Sequence, residues 1–136
     1  MKRHSTAVWN GSGKEGSGHL TTQSTVLNKT QYSYNSRFAE GVGTNPEELL
    51  AAAHAGCFTM KMTFTLNAEG FVPDELETRC DISLENGEIT LSELNMTAKI
   101  PGITEEKFQE LAAKAHEGCL VGHLFKCPLK MTATLA

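Results

Sequence analysis

The chain has 136 residues, a formal net charge of −4 and 40% hydrophobic residues, which suits one domain spanning 1–136 that buries roughly two thirds of its unfolded surface. No basic block interrupts the acidic balance, so nucleic acid and anionic membranes are disfavoured as partners. The N-terminal residues lack the apolar run of a signal peptide, so a cytoplasmic protein is expected. There the four cysteines, Cys57, Cys80, Cys119 and Cys127, serve as thiols, ligands or catalytic groups rather than as a disulfide framework.

Arg3 to Trp9 alternates as a strand and His19 to Ser24 reads as its antiparallel partner. The intervening Gly11–Gly16 matches the pattern G-x-G-x-x-G. Phosphate binding needs a helix N-terminus behind such a loop, and His19-Leu20-Thr21-Thr22 favours a strand, so a hairpin loop is expected. Tyr32 to Phe38 reads as a further strand, with Tyr32, Tyr34, Ser36 and Phe38 on one side and Arg37 on the other.

The long segment Thr44 to Asn67 opens as a helix. Asn45 can cap, Pro46 fits the first helical position, and Glu48 closes a capping box. From Leu49 to Met60 it is apolar or small nearly all round, which predicts burial on every side. Only about a dozen residues are so apolar before Lys61, too few for a membrane span. Gly70 and Pro73 end the helix.

Two strands follow, Leu76 to Glu85 and Glu88 to Ile100, joined by the hairpin signal Asn86-Gly87. Cys80 shares the alternation of Ile82 and reads as a small core residue. Thr104 caps a second helix whose apolar stripe is Phe108, Leu111, Ala112 and Ala115, with Glu105 and Glu106 favouring its dipole. Gly118 breaks it, Cys119 follows, and Leu129 to Leu135 alternates as a closing strand. The expected fold class is α+β, with antiparallel β-sheets, a long buried central helix and a second amphipathic helix.

Two histidines stand three residues before two cysteines, in His54-Ala55-Gly56-Cys57 and His116-Glu117-Gly118-Cys119. On a helix such spacing shares a face, so the four side chains form a candidate Cys2His2 zinc site and the protein a zinc-stabilised structural domain. A small apolar-ligand binding module is the other non-enzymatic alternative. Against zinc, a chain with this much apolar sequence does not lack a core.

Tyr34-Asn35-Ser36-Arg37-Phe38, Gly43-Thr44-Asn45-Pro46-Glu47-Glu48-Leu49-Leu50 running on to Cys57-Phe58, and later Pro101-Gly102-Ile103 and His116-Glu117-Gly118-Cys119 resemble the osmotically inducible protein C branch of the OsmC/Ohr thiol peroxidases. The resemblance runs in order over nearly the whole chain. It implies cysteine-based reduction of organic hydroperoxides in an intertwined homodimer with active sites at the interface. No cofactor is implied, and a dithiol of the dihydrolipoyl type is the expected reductant. Cys57 would be the peroxidatic thiol, Cys119 the resolving thiol, and Arg37 and Glu47 the assisting polar pair. After the second cysteine the family pattern continues with a proline and then a serine, whereas this chain has Leu120, Val121 and Gly122. Cys127, followed by Pro128, is an added thiol and a second candidate resolver.

The physics of these roles is demanding. Attack on a peroxide needs a thiolate, and lowering a thiol from about 8.5 to about 6 takes roughly 3.4 kcal/mol of differential stabilisation, within reach of one desolvated guanidinium. Ionisation alone gains only about thirty-fold in thiolate, so the larger part must come from orienting the peroxide and stabilising the leaving alkoxide. Glu47 and Cys57 lie about 15 Å apart along one rigid helix, so Glu47 reaches Cys57 only from another chain or through Arg37. The apolar helix predicts a pocket walled by Leu50 and Phe58 that favours bulky organic hydroperoxides over hydrogen peroxide.

Overall fold

The computed structural model describes residues 1–136, which divide into two compact units, Met1–Leu49 and Leu50–Ala136. The first is an antiparallel meander of β1 (Ser5–Asn10), β2 (Ser17–Thr22) and β3 (Thr30–Tyr32). The Gly-rich segment is the β1–β2 hairpin loop, closed by Gly16 N–H donating to Ser12 O at 2.8 Å. Gly18 is required where it stands: a Cβ would lie 2.6 Å from the Trp9 ring and 2.9 Å from that of Tyr32. Those two rings meet edge to face at 5.3 Å, a favourable aromatic arrangement.

The strand expected through Phe38 stops at Tyr32, and Tyr34–Phe38 is a short helix, α1. Its cause is local. Ser33 Oγ accepts from Ser36 N–H at 3.2 Å and Ser36 Oγ accepts from Ser33 N–H at 2.8 Å, a capping box built from two serines. The aromatic alternation that suggests a strand is overridden by this reciprocal pair. Ser36 also donates to Thr44 O at 2.9 Å, and Asn45 Nδ2 donates to Ser36 O at 3.0 Å, tying α1 to the start of the long helix.

That helix, α2, spans Pro46–Ala68. Asn45 Oδ1 accepts from Glu48 N–H at 2.8 Å, the expected cap, while the Glu48 carboxylate accepts from Asn45 Nδ2 at 3.0 Å rather than from the backbone N–H that a capping box uses. Past Leu49 it belongs to the second unit, with β4 (Glu75–Glu85), β5 (Glu88–Lys99), α3 (Glu105–Glu117), one 3-10 turn (Gly122–Leu124) and β6 (Leu129–Leu135). Asn86 and Gly87 both take positive φ, 51° and 78°, as a tight hairpin turn requires. Thr104 Oγ1 caps α3 by accepting from Lys107 N–H at 3.2 Å.

The sheet order is β4-β5-β6, and β5 pairs with β6 in parallel. An all-antiparallel arrangement fails here because α3 carries the chain back along the sheet before β6 begins, which makes a crossover unit. The core is a wholly buried seam of Phe58, Met62 and Leu66 from α2, Leu94, Met96 and Ala98 from β5, and Phe108, Leu111, Ala112 and Ala115 from α3. No helix is long and apolar enough to cross a membrane.

Burial of α2 on every side is not what the single chain achieves. Its inner face is buried at His54, Phe58, Met62, Thr65 and Leu66, but Met60 and Phe64 are each 64% exposed. One three-stranded sheet and one helix cover a single face of a helix and no more. Phe58 is accordingly core, not pocket wall, and an open recess of about 660 Å³ is lined by Gly56, Met60, Phe64, Leu76 and Thr78 on the other face.

Candidate active site

The second unit brings two of the singled-out thiols together. Cys57 is half-buried in the middle of α2, where the small Gly56 and Ala55 precede it. Cys119 follows the Gly118 break after α3 and is wholly buried. Burial pushes the Cys119 thiol up; backbone N–H groups of Gly122 and Val121 pull it down, while the neighbouring Cys57 adds to the rise. Both thiols are free, as are Cys80 and Cys127. A half-buried thiol on a helix facing a buried thiol past a helix end is the arrangement that lets one sulfur be oxidised and the other close on it.

The first unit brings the other pair together. Arg37 ends α1 and its Nε donates to Glu47 Oε1 at 2.8 Å in the first turn of α2. The guanidinium also lies 4.9 Å from the Phe38 ring centroid. Glu47 is held firmly, with its side chain 12% exposed against 42% for Arg37, and its Oε2 is buried without a partner. Only Nε of Arg37 is engaged, which leaves both Nη groups for an incoming ligand. Glu47 and Cys57 are on one continuous helix, about 15 Å of rise apart.

The zinc arrangement does not form. No three His, Cys, Asp or Glu side chains gather in a metal-holding group. His54 Nδ1 is instead 2.6 Å from Ser92 Oγ.

A buried polar cluster escaped the sequence reading. His54 and Ser92 are both wholly buried, and Cys80 Sγ lies 3.4 Å from Ser92 Oγ and 3.8 Å from His54 Nδ1. Cys80 packs against the core, as its alternation implies, and also borders this polar cluster. Burial pushes its thiol up, with the Ser92 hydroxyl acting the other way. The available signal was Ser92 itself, a hydroxyl on the same inward alternation as Leu94, Met96 and Ala98.

Against known proteins, the model of the family described as OsmC-like protein matches residues 39–134. The chain is 39% identical over 129 residues to the peroxiredoxin OsmC of Escherichia coli K12, covering 92% of this chain and 90% of that one. To the organic hydroperoxide resistance protein of Xanthomonas axonopodis pv. citri it is 33% identical over 103 residues, 72% and 70% of the two chains. A crystal structure of an OsmC-like protein from Mycoplasma pneumoniae superposes with a TM-score of 0.78 over 100% of this chain and 98% of that one, at 14% identity. On the family match over residues 39–134 and the identity to curated relatives, the chain belongs to the OsmC family.

Proposed function

We propose that the protein is a thiol peroxidase that reduces organic hydroperoxides to alcohols. Cys57 as thiolate attacks the peroxide O–O bond, releases the alcohol and becomes a sulfenic acid; Cys119 condenses with it, forming a disulfide and water. An external dithiol of the dihydrolipoyl type then restores both thiols. The observation that carries this reading is the pairing of half-buried Cys57 with buried Cys119. The names of the Escherichia coli and Xanthomonas relatives support the reaction class.

The working unit is a homodimer. Glu47 and Cys57 of one helix are too far apart to share a site, so Arg37 and Glu47 of the partner subunit serve Cys57, and the exposed Met60 and Phe64 are covered by the second copy. The Arg37–Glu47 bond fixes the guanidinium plane, and the free Nη groups stabilise the thiolate and then the developing alkoxide. The recess at Ala55, Gly56 and Leu76, beside the covered Met60 and Phe64, supplies apolar surface for the organic tail; hydrogen peroxide has no such surface to bury.

Titrating the reduced protein with cumene hydroperoxide and mapping the product by mass spectrometry tests the reading. One equivalent should consume Cys57 and Cys119 and yield a Cys57–Cys119 bridge, and Cys57→Ser should consume nothing. Wild-type protein that keeps its Cys57 thiol under excess hydroperoxide would refute it, whereas a Cys57–Cys127 bridge would change only the resolver.

A further inference from the structure

Disulfide closure imposes a requirement that the two cysteines do not meet themselves: the attacking thiol must lose its proton. Cys119 is at 0% exposure, and burial is the main cause that keeps its thiol protonated. Bulk water does not reach such a group freely, so a base has to stand nearby within the protein.

In the second unit two imidazoles have a buried ring nitrogen without a partner, His54 Nε2 and His116 Nδ1, and the one that borders the turn after Cys119 is that of His54. His54 lies one turn before Cys57 on α2, fully buried, with Nδ1 2.6 Å from Ser92 Oγ. Its Nε2 is buried with no hydrogen-bond partner. That nitrogen faces Gly122 in the turn after Cys119: a Cβ added there would stand 3.3 Å from Nε2 and 3.7 Å from the Cys119 Cβ. His54 Nε2, Leu129 Cδ1 at 3.5 Å and the Cys119 Cβ thus border the space that a side chain at Gly122 would fill. Phe125, with its ring centroid 5.0 Å from that of His54, covers the imidazole from the same segment.

The tautomer follows from the partners. A buried N–H without an acceptor is rarer and costlier than a buried acceptor without a donor. Nδ1–H therefore donates to Ser92 Oγ, the Ser92 hydroxyl donates to Cys80 Sγ at 3.4 Å, and Nε2 carries the lone pair. Burial, and secondarily the charge of His116, holds His54 below the ordinary histidine range, so at neutral pH it is unprotonated and able to accept.

We propose that His54 takes the proton from Cys119 during disulfide formation, with Ser92 as the positioning residue that fixes its tautomer; the inference rests on the peroxidase reading above. The Cys119 proton passes to Nε2, directly on a small shift of the turn or through one water. The Cys119 sulfur then attacks the Cys57 sulfur, the S–S bond forms and the Cys57 S–O bond breaks. The departing hydroxide takes the proton from the imidazolium and leaves as water. The two electrons that reduced the hydroperoxide have come from the two thiols, and His54 ends as it began.

The titratable groups facing His54 are Cys80 from β4, His116 from α3 and Cys119 beyond α3. Rapid quench with cumene hydroperoxide separates the steps, with dimedone trapping for the Cys57 sulfenic acid and mass spectrometry for the disulfide. His54→Gln should slow closure at least tenfold relative to sulfenic acid formation, and more Cys57 should reach the sulfinic acid under excess hydroperoxide. Ser92→Ala should slow closure several-fold and shift its pH profile. Closure at the wild-type rate in His54→Gln overturns the proposal. Should that variant not fold, wild-type closure and an unmoved pH profile in Ser92→Ala overturn it instead. Wild-type protein that forms no sulfenic acid at Cys57 fails at the earlier step and removes the peroxidase reading along with this one.

Discussion

The two functional pairs differ in how they treat charge. In the first unit Arg37 and Glu47 form a salt bridge in direct contact, set where the guanidinium remains 42% exposed. In the second, Cys119, His54 and His116 pack against a core of Phe58, Leu94, Phe108 and Leu111, where burial favours the uncharged form of acid and base alike. The lesson is a division of labour. On the peroxidase reading proposed above, a thiolate is hard to generate from a dry core alone, so the charge that would favour the anion is carried on a separate surface element while the core keeps the remaining reagents neutral.

The sharpest way to break that division is to remove the charge. Arg37→Met should lower kcat/KM for cumene hydroperoxide by two to three orders of magnitude, about 3–4 kcal/mol, because thiolate and alkoxide both lose the same donor. Glu47→Gln, which leaves the guanidinium but loosens its orientation, should lose roughly tenfold. Circular dichroism should stay that of the wild type in both, since a partly exposed ion pair contributes only about 0–1 kcal/mol to stability. Equal losses in the two variants would mean that orientation, not charge, dominates.

Much of the fold is legible in sequence because local signals specify it. The Asn45 cap of α2, the Asn86-Gly87 turn and the Thr104 cap are each a few residues long and form as expected. The Ser33–Ser36 box is just as local, yet the alternation of Tyr32, Tyr34 and Phe38 masks it. What sequence could not supply is contact across distance. The parallel β5–β6 pairing depends on where α3 returns the chain, and the His54–Ser92–Cys80 cluster joins three elements at separations of 12 to 38 residues. Periodicity reports that Ser92 points inward, but it does not say which polar group waits there.

A second test sharpens the comparison at the level of assembly. If the surface charge serves a neighbouring subunit's thiol, separating the subunits should uncouple the regions without unfolding either. Phe64→Asp places a carboxylate on the 64% exposed face of α2, where a lone chain tolerates it and a dimer interface does not. Sedimentation should report a halved mass, and peroxidase activity should fall with it while the secondary structure is retained. A monomeric variant with full activity would show that one chain suffices.

The smallest expected effect concerns acid stability, and its sign separates the regions. His54 and His116 are held below the ordinary histidine range, chiefly by burial. For a base whose folded pKa is depressed, the unfolded chain binds the proton first. Nothing changes above the unfolded value near 6.5, and below it the folded state loses ground by at most about 1.4 kcal/mol per pH unit for each histidine. Denaturant midpoints should therefore fall as pH drops from 7 to 5, with an upper-limit slope set by two groups. His54→Gln should flatten that fall by up to half, whereas Glu47→Gln should leave it in place, because no neutral buried base is altered there. A slope insensitive to His54→Gln would mean that the imidazole protonates as readily inside the fold as outside it, and the neutral core inferred for the second unit would not hold at the residue on which it most depends.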